Sequence, residues 1–151
     1  MAMISFLKIN NLRFPVIEGE PDPTELKDKI MSIKSQWDSD YYKTIAESLL
    51  QTTIEVMQHS KKEISLQSIC YNMNSIDRLM SAARGNDELL KQLEIFEEIK
   101  KTDITGIVHH INNLANSALG KFLDPAGITL KNVVDSGGVI YFGLSALQYG
   151  V

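Results

Sequence analysis

Apolar residues recur at intervals of three and four along most of the chain, and this rhythm predicts a mainly helical protein. The longest such stripe runs from Ile104 through Ile107, Val108, Ile111, Leu114 and Ala115 to Leu119 and Leu123, about five turns, and is stopped by Asp124-Pro125. A second stripe opens near Ser39 or Asp40 with Tyr42, Ile45, Ala46, Leu49, Thr53, Val56 and Met57, and is widened by Leu50 and Ile54. That breadth predicts a well-buried helix. Asp22-Pro23-Thr24-Glu25 starts another, with Asp22 placed to cap, Pro23 at the first helical position and Glu25 completing a capping box. Leu26, Ile30 and Ile33 mark its inner face. Ser65 and Asn74 or Ser75 cap two short helices, the second carrying Ile76, Leu79, Met80 and Ala83 before Gly85 closes it. Asp87 opens a helix through Leu89, Leu90, Leu93, Phe96 and Ile99, ending near Lys100-Lys101.

Two segments break the helical rhythm. Ile4 to Ile9 is short, apolar and bounded by Asn10-Asn11, which predicts a strand and a turn. Pro15 makes Arg13 to Ile17 an edge or extended loop. Val139 to Leu144 follows Gly137-Gly138 and lacks apolar-polar alternation, the pattern of a strand covered on both faces in a parallel sheet. Such a strand needs more neighbours than one other segment supplies. The expected architecture is therefore a helical bundle, residues 22–124, inserted between two strands of an incomplete α/β domain. Residues 1–21 would be a strand and connector of that domain, and residues 125–151 a connector and its returning strand.

With 151 residues, 44% of them hydrophobic and 23% charged, the chain can bury one core and is too apolar to be disordered. No stretch approaches the roughly 20 apolar residues of a bilayer-spanning helix. The first residues show no basic leader before an apolar run and a small-residue cleavage site. Cys70 has no partner for an internal disulfide. These features place the expected location in the cytoplasm, without direct membrane contact. The net charge of −4 disfavours a surface built for phosphate backbones. The paired cations Lys61-Lys62 and Lys100-Lys101 fall where helices are expected to end, which suits the negative pole of the helix dipole.

The chain contains no G-x-x-x-x-G-K-[ST] loop and no G-x-G-x-x-G after a strand, so the backbone cradle for nucleotide phosphates is missing and no catalytic or cofactor-binding residue is assigned. His109 and His110 are adjacent, about 100° apart on a helix, and cannot close on one metal by themselves. Cys70, beside Tyr71 in an apolar helix, is expected to be a small core residue. Glu94, Glu97 and Glu98 form a carboxylate run that reads as a solvated helix face able to receive a basic tail of a partner. Trp37, Tyr41 and Tyr42 gather at a helix entrance, where they either pack across the joint or form a partner-binding hot spot. Trp37, Tyr41, Glu94, Glu97 and Glu98 are thus the candidate partner-binding residues.

The segment Ser136-Gly137-Gly138-Val139-Ile140-Tyr141-Phe142-Gly143-Leu144-Ser145-Ala146-Leu147 resembles a strand of TraD/TraG-type coupling proteins of conjugation and type IV secretion. Asp38-Ser39-Asp40-Tyr41-Tyr42-Lys43 resembles the opening of that family's all-α domain, and Ala118-Leu119-Gly120-Lys121-Phe122-Leu123 its close. The resemblance implies a cytoplasmic all-α domain inserted in the RecA-like nucleotide-binding domain of a hexameric, membrane-anchored ATPase. It implies recognition of a relaxase, a relaxosome accessory protein or a secreted effector. ATP and magnesium are implied for the full-length parent and not for this chain, and DNA would be met through the parent. A different reading takes the junction of the two short helices, Leu66 to Met73 and Ser75 to Arg84, as a helix-turn-helix DNA-binding unit. The second of those helices carries only Arg78 and Arg84 as cations.

Overall fold

The computed structural model describes residues 21–33, 37, 39–117 and 130–139. In chain order the helices are α1 (Pro23–Ser32), α2 (Asp40–His59), α3 (Leu66–Met73), α4 (Ile76–Ala82), α5 (Asp87–Glu97), α6 (Lys101–Asn116) and α7 (Leu130–Asp135). The described residues are mainly helical and include no strand. No helix among them is long and apolar enough to cross a membrane.

The helix starts follow local side-chain chemistry. The Asp22 carboxylate accepts from Glu25 N–H at 2.9 Å, and the carboxylate of Glu25 pairs with Lys29 one turn on. Ser39 and Ser75 cap α2 and α4 through their hydroxyls. Ser65 and Ser68 form a reciprocal box, in which Ser68 N–H donates to Ser65 Oγ and Ser65 N–H donates to Ser68 Oγ. Helix α5 opens at Asp87 as expected, and its cap is Asn86, whose amide oxygen accepts from Leu89 N–H at 3.1 Å.

Around this framework α2 is the hub. It touches α1, α3, α4, α5 and α6, and α3 packs in turn on α6. Leu49, Leu50, Ile54, Val56 and Met57 are fully buried along α2, and they meet Leu26 and Ile30 of α1, Ile69 and Met73 of α3, and Leu93 of α5 in one cluster. The buried polar side chains of Thr52, Thr53 and Asn72 bond within the fold. Thr53 Oγ1 donates to Leu49 C=O at 2.7 Å, and Asn72 donates to Ser68 C=O while accepting from Lys62 Nζ at 3.0 Å. Gln58 reaches Pro21 C=O at 2.5 Å and ties the entry of α1 to the end of α2.

Several expectations change. The long final stripe is not one helix, because α6 ends at Asn116 with Ser117 extended at φ −69°, ψ 167°. Ile111 is buried, whereas Leu119 lies outside the described residues. Lys100-Lys101 do not close α5. That helix ends at Glu97, and the two lysines open α6 at the positive pole of its dipole, with no side-chain cap. Ile33 and Tyr42 lie at the ends of their stripes, outside the core, and Met31 is buried in α1 instead. The expected connector before Gly137-Gly138 contains α7. The glycine pair closes it, since Gly137 takes φ 72° and a Cβ on Gly138 would come within 2.7 Å of Val133 Cγ1. Val139 is in neither helix nor strand; the rest of the expected strand to Leu144, and Ile4 to Ile9, lie outside the described residues.

At the end of α2, Lys62 N–H donates to Met57 C=O and Lys61 N–H to Gln58 C=O, a closure that drives Lys61 to φ 52°. A side chain with a Cβ pays a steric penalty there that glycine does not. Lys61→Gly should therefore raise stability by about 1 kcal/mol, measured by urea denaturation. Leu49→Ala, at the centre of the hub, should lower it by about 2–5 kcal/mol.

Candidate protein-binding surface

The burial pattern of α2 leaves one strip open. At about 100° per residue, its buried side chains from Ile45 to Met57 cover an arc of about 200°, twice the width of an ordinary amphipathic stripe. The remaining arc carries Tyr41, Thr44, Ser48, Gln51 and Glu55. Alongside it lies α5, running the opposite way: Thr52 Oγ1 donates to Gln92 Oε1 at 3.4 Å, while Tyr41 and Tyr42 face Ile95, Glu98 and Ile99. Between the two helices is a groove of about 470 Å³. Its floor is Ile45, Phe96 and Ile99, and its α5 lip is Ile95, whose side chain is 65% exposed.

Thr44, Gln51 and Glu55 of this groove are bonded within the fold. Thr44 Oγ1 donates to Asp40 C=O at 2.8 Å, and Gln51 Nε2 donates to Glu55 Oε1 at 3.0 Å. The groove continues past Ile95 and Ile99 into a cleft bordered by Tyr41, Glu98, Lys100 and Asp103. Tyr42 and Asp103 join that cleft to the next, which reaches Trp37 and His110. Tyr41 and Tyr42 meet edge to face at 5.4 Å, as do Trp37 and His110 at 6.1 Å.

The fold therefore gathers Tyr41 and Glu98 at one cleft and sets Trp37 one cleft away. Glu94 and Glu97 are exposed on other sides of α5 and line neither cavity. Ile95 was missed by the sequence reading. Its signal was an isoleucine that falls off the Leu89–Leu93–Phe96 stripe of its own helix. Glu94, Glu97 and Glu98 have no salt bridge among the described residues and crowd the negative pole of α5, whose last turn holds no cation. Adjacent lysines at the start of α6 partly screen this charge.

The α3–α4 junction is short, as a helix-turn-helix requires, but its cation is engaged. The Arg78 guanidinium lies 3.8 Å from the Tyr71 ring centroid and donates to Tyr71 C=O. His109 and His110 are exposed on α6, and no three potential metal ligands gather among the described residues.

Cys70 lies in the core, and burial raises its thiol from an ordinary 9.0 to about 11, a backbone hydrogen bond offsetting part of the effect. The buried neutral thiol is favoured, so the contribution to stability is complete below pH 9.0 and is lost as pH rises through about 11. At pH 8 the thiol should react with an aromatic disulfide reagent only through unfolding, and urea should accelerate labelling in step with the fraction unfolded.

No protein family, curated protein or solved structure matches the chain.

Proposed function

We propose that this chain is a protein-binding helical module, the cargo-recognition all-α domain of a coupling ATPase of the TraD/TraG type. The observation that carries the binding role is the patch at the α2–α5 cleft. Tyr41, Tyr42 and Ile95, exposed by 56%, 38% and 65%, stand together on one face, bordered by Glu98 and Asp103. Aromatic and aliphatic side chains rimmed by charge are the composition of a protein-binding hot spot. The family assignment rests on the Ser136 to Leu147 segment and on the helical character of the region between residues 22 and 117.

In this reading the module faces the cytoplasm and binds a relaxase, a relaxosome accessory protein or a secreted effector. The nucleotide and magnesium belong to the parent ATPase domain, because this chain has no phosphate loop to hold them. Six copies in an assembled parent would supply the avidity that a single copy lacks. DNA binding through α3 and α4 is disfavoured by the engagement of Arg78 with Tyr71 and by the net charge of −4.

The test is a titration of the chain with the cargo proteins encoded beside its gene, in parallel with a random-sequence duplex at physiological salt. Saturable binding of one of those proteins, with no measurable duplex binding, is expected. Tight duplex binding with a steep salt dependence and no protein binding would overturn the reading.

A further inference from the structure

We propose that the groove between α2 and α5 is the seat of an amphipathic helix from a protein partner, basic along the edge that meets Glu98 and Asp103. The inference rests on the protein-binding reading and narrows it to one surface and one kind of ligand.

The shape argues for a helix. From Tyr41 to Glu55 the open strip of α2 is about 20 Å long at 1.5 Å per residue, the length of a helix of about 14 residues. The two walls are antiparallel helices, so neither offers a strand edge with which an extended peptide could pair. Three of the groove's side-chain donors are bonded within the fold, Thr44 to Asp40, Gln51 to Glu55 and Thr52 to Gln92, which leaves only the Ser48 hydroxyl and the Gln92 amide to meet a ligand backbone. An extended ligand would leave backbone N–H and C=O groups unpaired against the Ile45 and Phe96 floor, whereas a helix satisfies its own. A third helix laid between two antiparallel ones also covers Ile95, Ile99 and Tyr41 together, as neighbouring helices in a bundle do.

Charge sets the ligand's polarity. Glu55 stands at one end of the groove and Glu98 and Asp103 at the other, with Lys100 the cation bordering the cleft. Lys43 lines neither cavity and pairs with Glu47 at 3.8 Å. Glu94 and Glu97 add to the negative potential at the C-terminal pole of α5, where carboxylates oppose the helix dipole. A basic ligand relieves that crowding and an acidic one worsens it.

The experiment uses the full chain and fluorescence anisotropy. The probes are a labelled 14-residue peptide of leucine and lysine in a three-four pattern and its counterpart with glutamate for lysine. The lysine peptide should bind at least about tenfold more tightly than the glutamate one. Ile95→Ser and Glu98→Lys should each weaken it by about tenfold. Glu63→Lys, exposed in the α2–α3 connection, should change it by less than about twofold. Both groove positions are exposed and Glu98→Lys removes a carboxylate from the negative pole, so both variants should melt no lower than the parent chain. Equal binding of the two peptides, or a loss from Glu63→Lys matching that from Glu98→Lys, would overturn the proposal. So would self-association of the chain that Ile95→Ser abolishes, which would give the groove to a second copy, or duplex DNA binding that shows the same pattern of losses. If a cargo protein binds the parent chain and both groove variants alike, the groove assignment falls and the protein-binding reading stands. If the lysine peptide obeys the pattern and no cargo protein binds, the groove stands and the cargo reading falls.

Discussion

Among the described residues, helices α1 to α6 are arranged around the burial of α2. A helix covered over an arc of about 200° cannot be served by one neighbour, since a single helix-helix contact covers only the ordinary stripe. The chain answers with α1, α3, α4, α5 and α6, all of which touch α2. Leu49, Leu50, Ile54, Val56 and Met57 hold these contacts together, and a cavity at any of them would be shared by several helices at once. The connections from α2 through α5 are correspondingly short, and each leads into a side-chain cap: Ser65, Ser75 and Asn86.

The same constraint creates the groove. Five neighbours close around most of α2 and leave one strip uncovered, the strip of Thr44, Ser48, Gln51 and Glu55. Its residues are small or polar, and Thr44, Gln51 and Glu55 bond within the fold, which lets the face stay open without filling it. The apolar side chains at its lip, Ile95 and Tyr41, have no such reason to be exposed. The carboxylates beside them work against the α5 dipole. Local rules broken together at one place, without a stabilising return inside the fold, are the usual mark of a surface shaped for something else.

What the sequence determined by itself was whatever depends on neighbours within one or two turns. The caps Asp22 and Ser65 were readable, and those at Ser39 and Ser75 to within one residue, because a cap bonds a backbone group three residues away. The breadth of the α2 stripe announced its burial, and Cys70 was legible as a core residue from its apolar surroundings. Where local signals tie, the sequence misled. The stripe beyond Asn116 has the right period to continue α6, yet the chain turns extended at Ser117. Lys100-Lys101 suit a helix end in isolation but stand at a helix start.

Only the tertiary structure decided which parts of the helices remain open. Tyr41 and Glu98 are far apart in sequence, and they share a cleft because α5 folds back antiparallel along α2. Trp37, Glu94 and Glu97 belonged to the same list of candidates, but the rotation of α5 about its axis turned Glu94 and Glu97 away and brought forward Ile95, one residue along and about 100° round. Periodicity shows that a helix has a buried face. Which part of the other face meets a neighbour, and which is left for a partner, depends on the packing angle between helices, and no single helix encodes that.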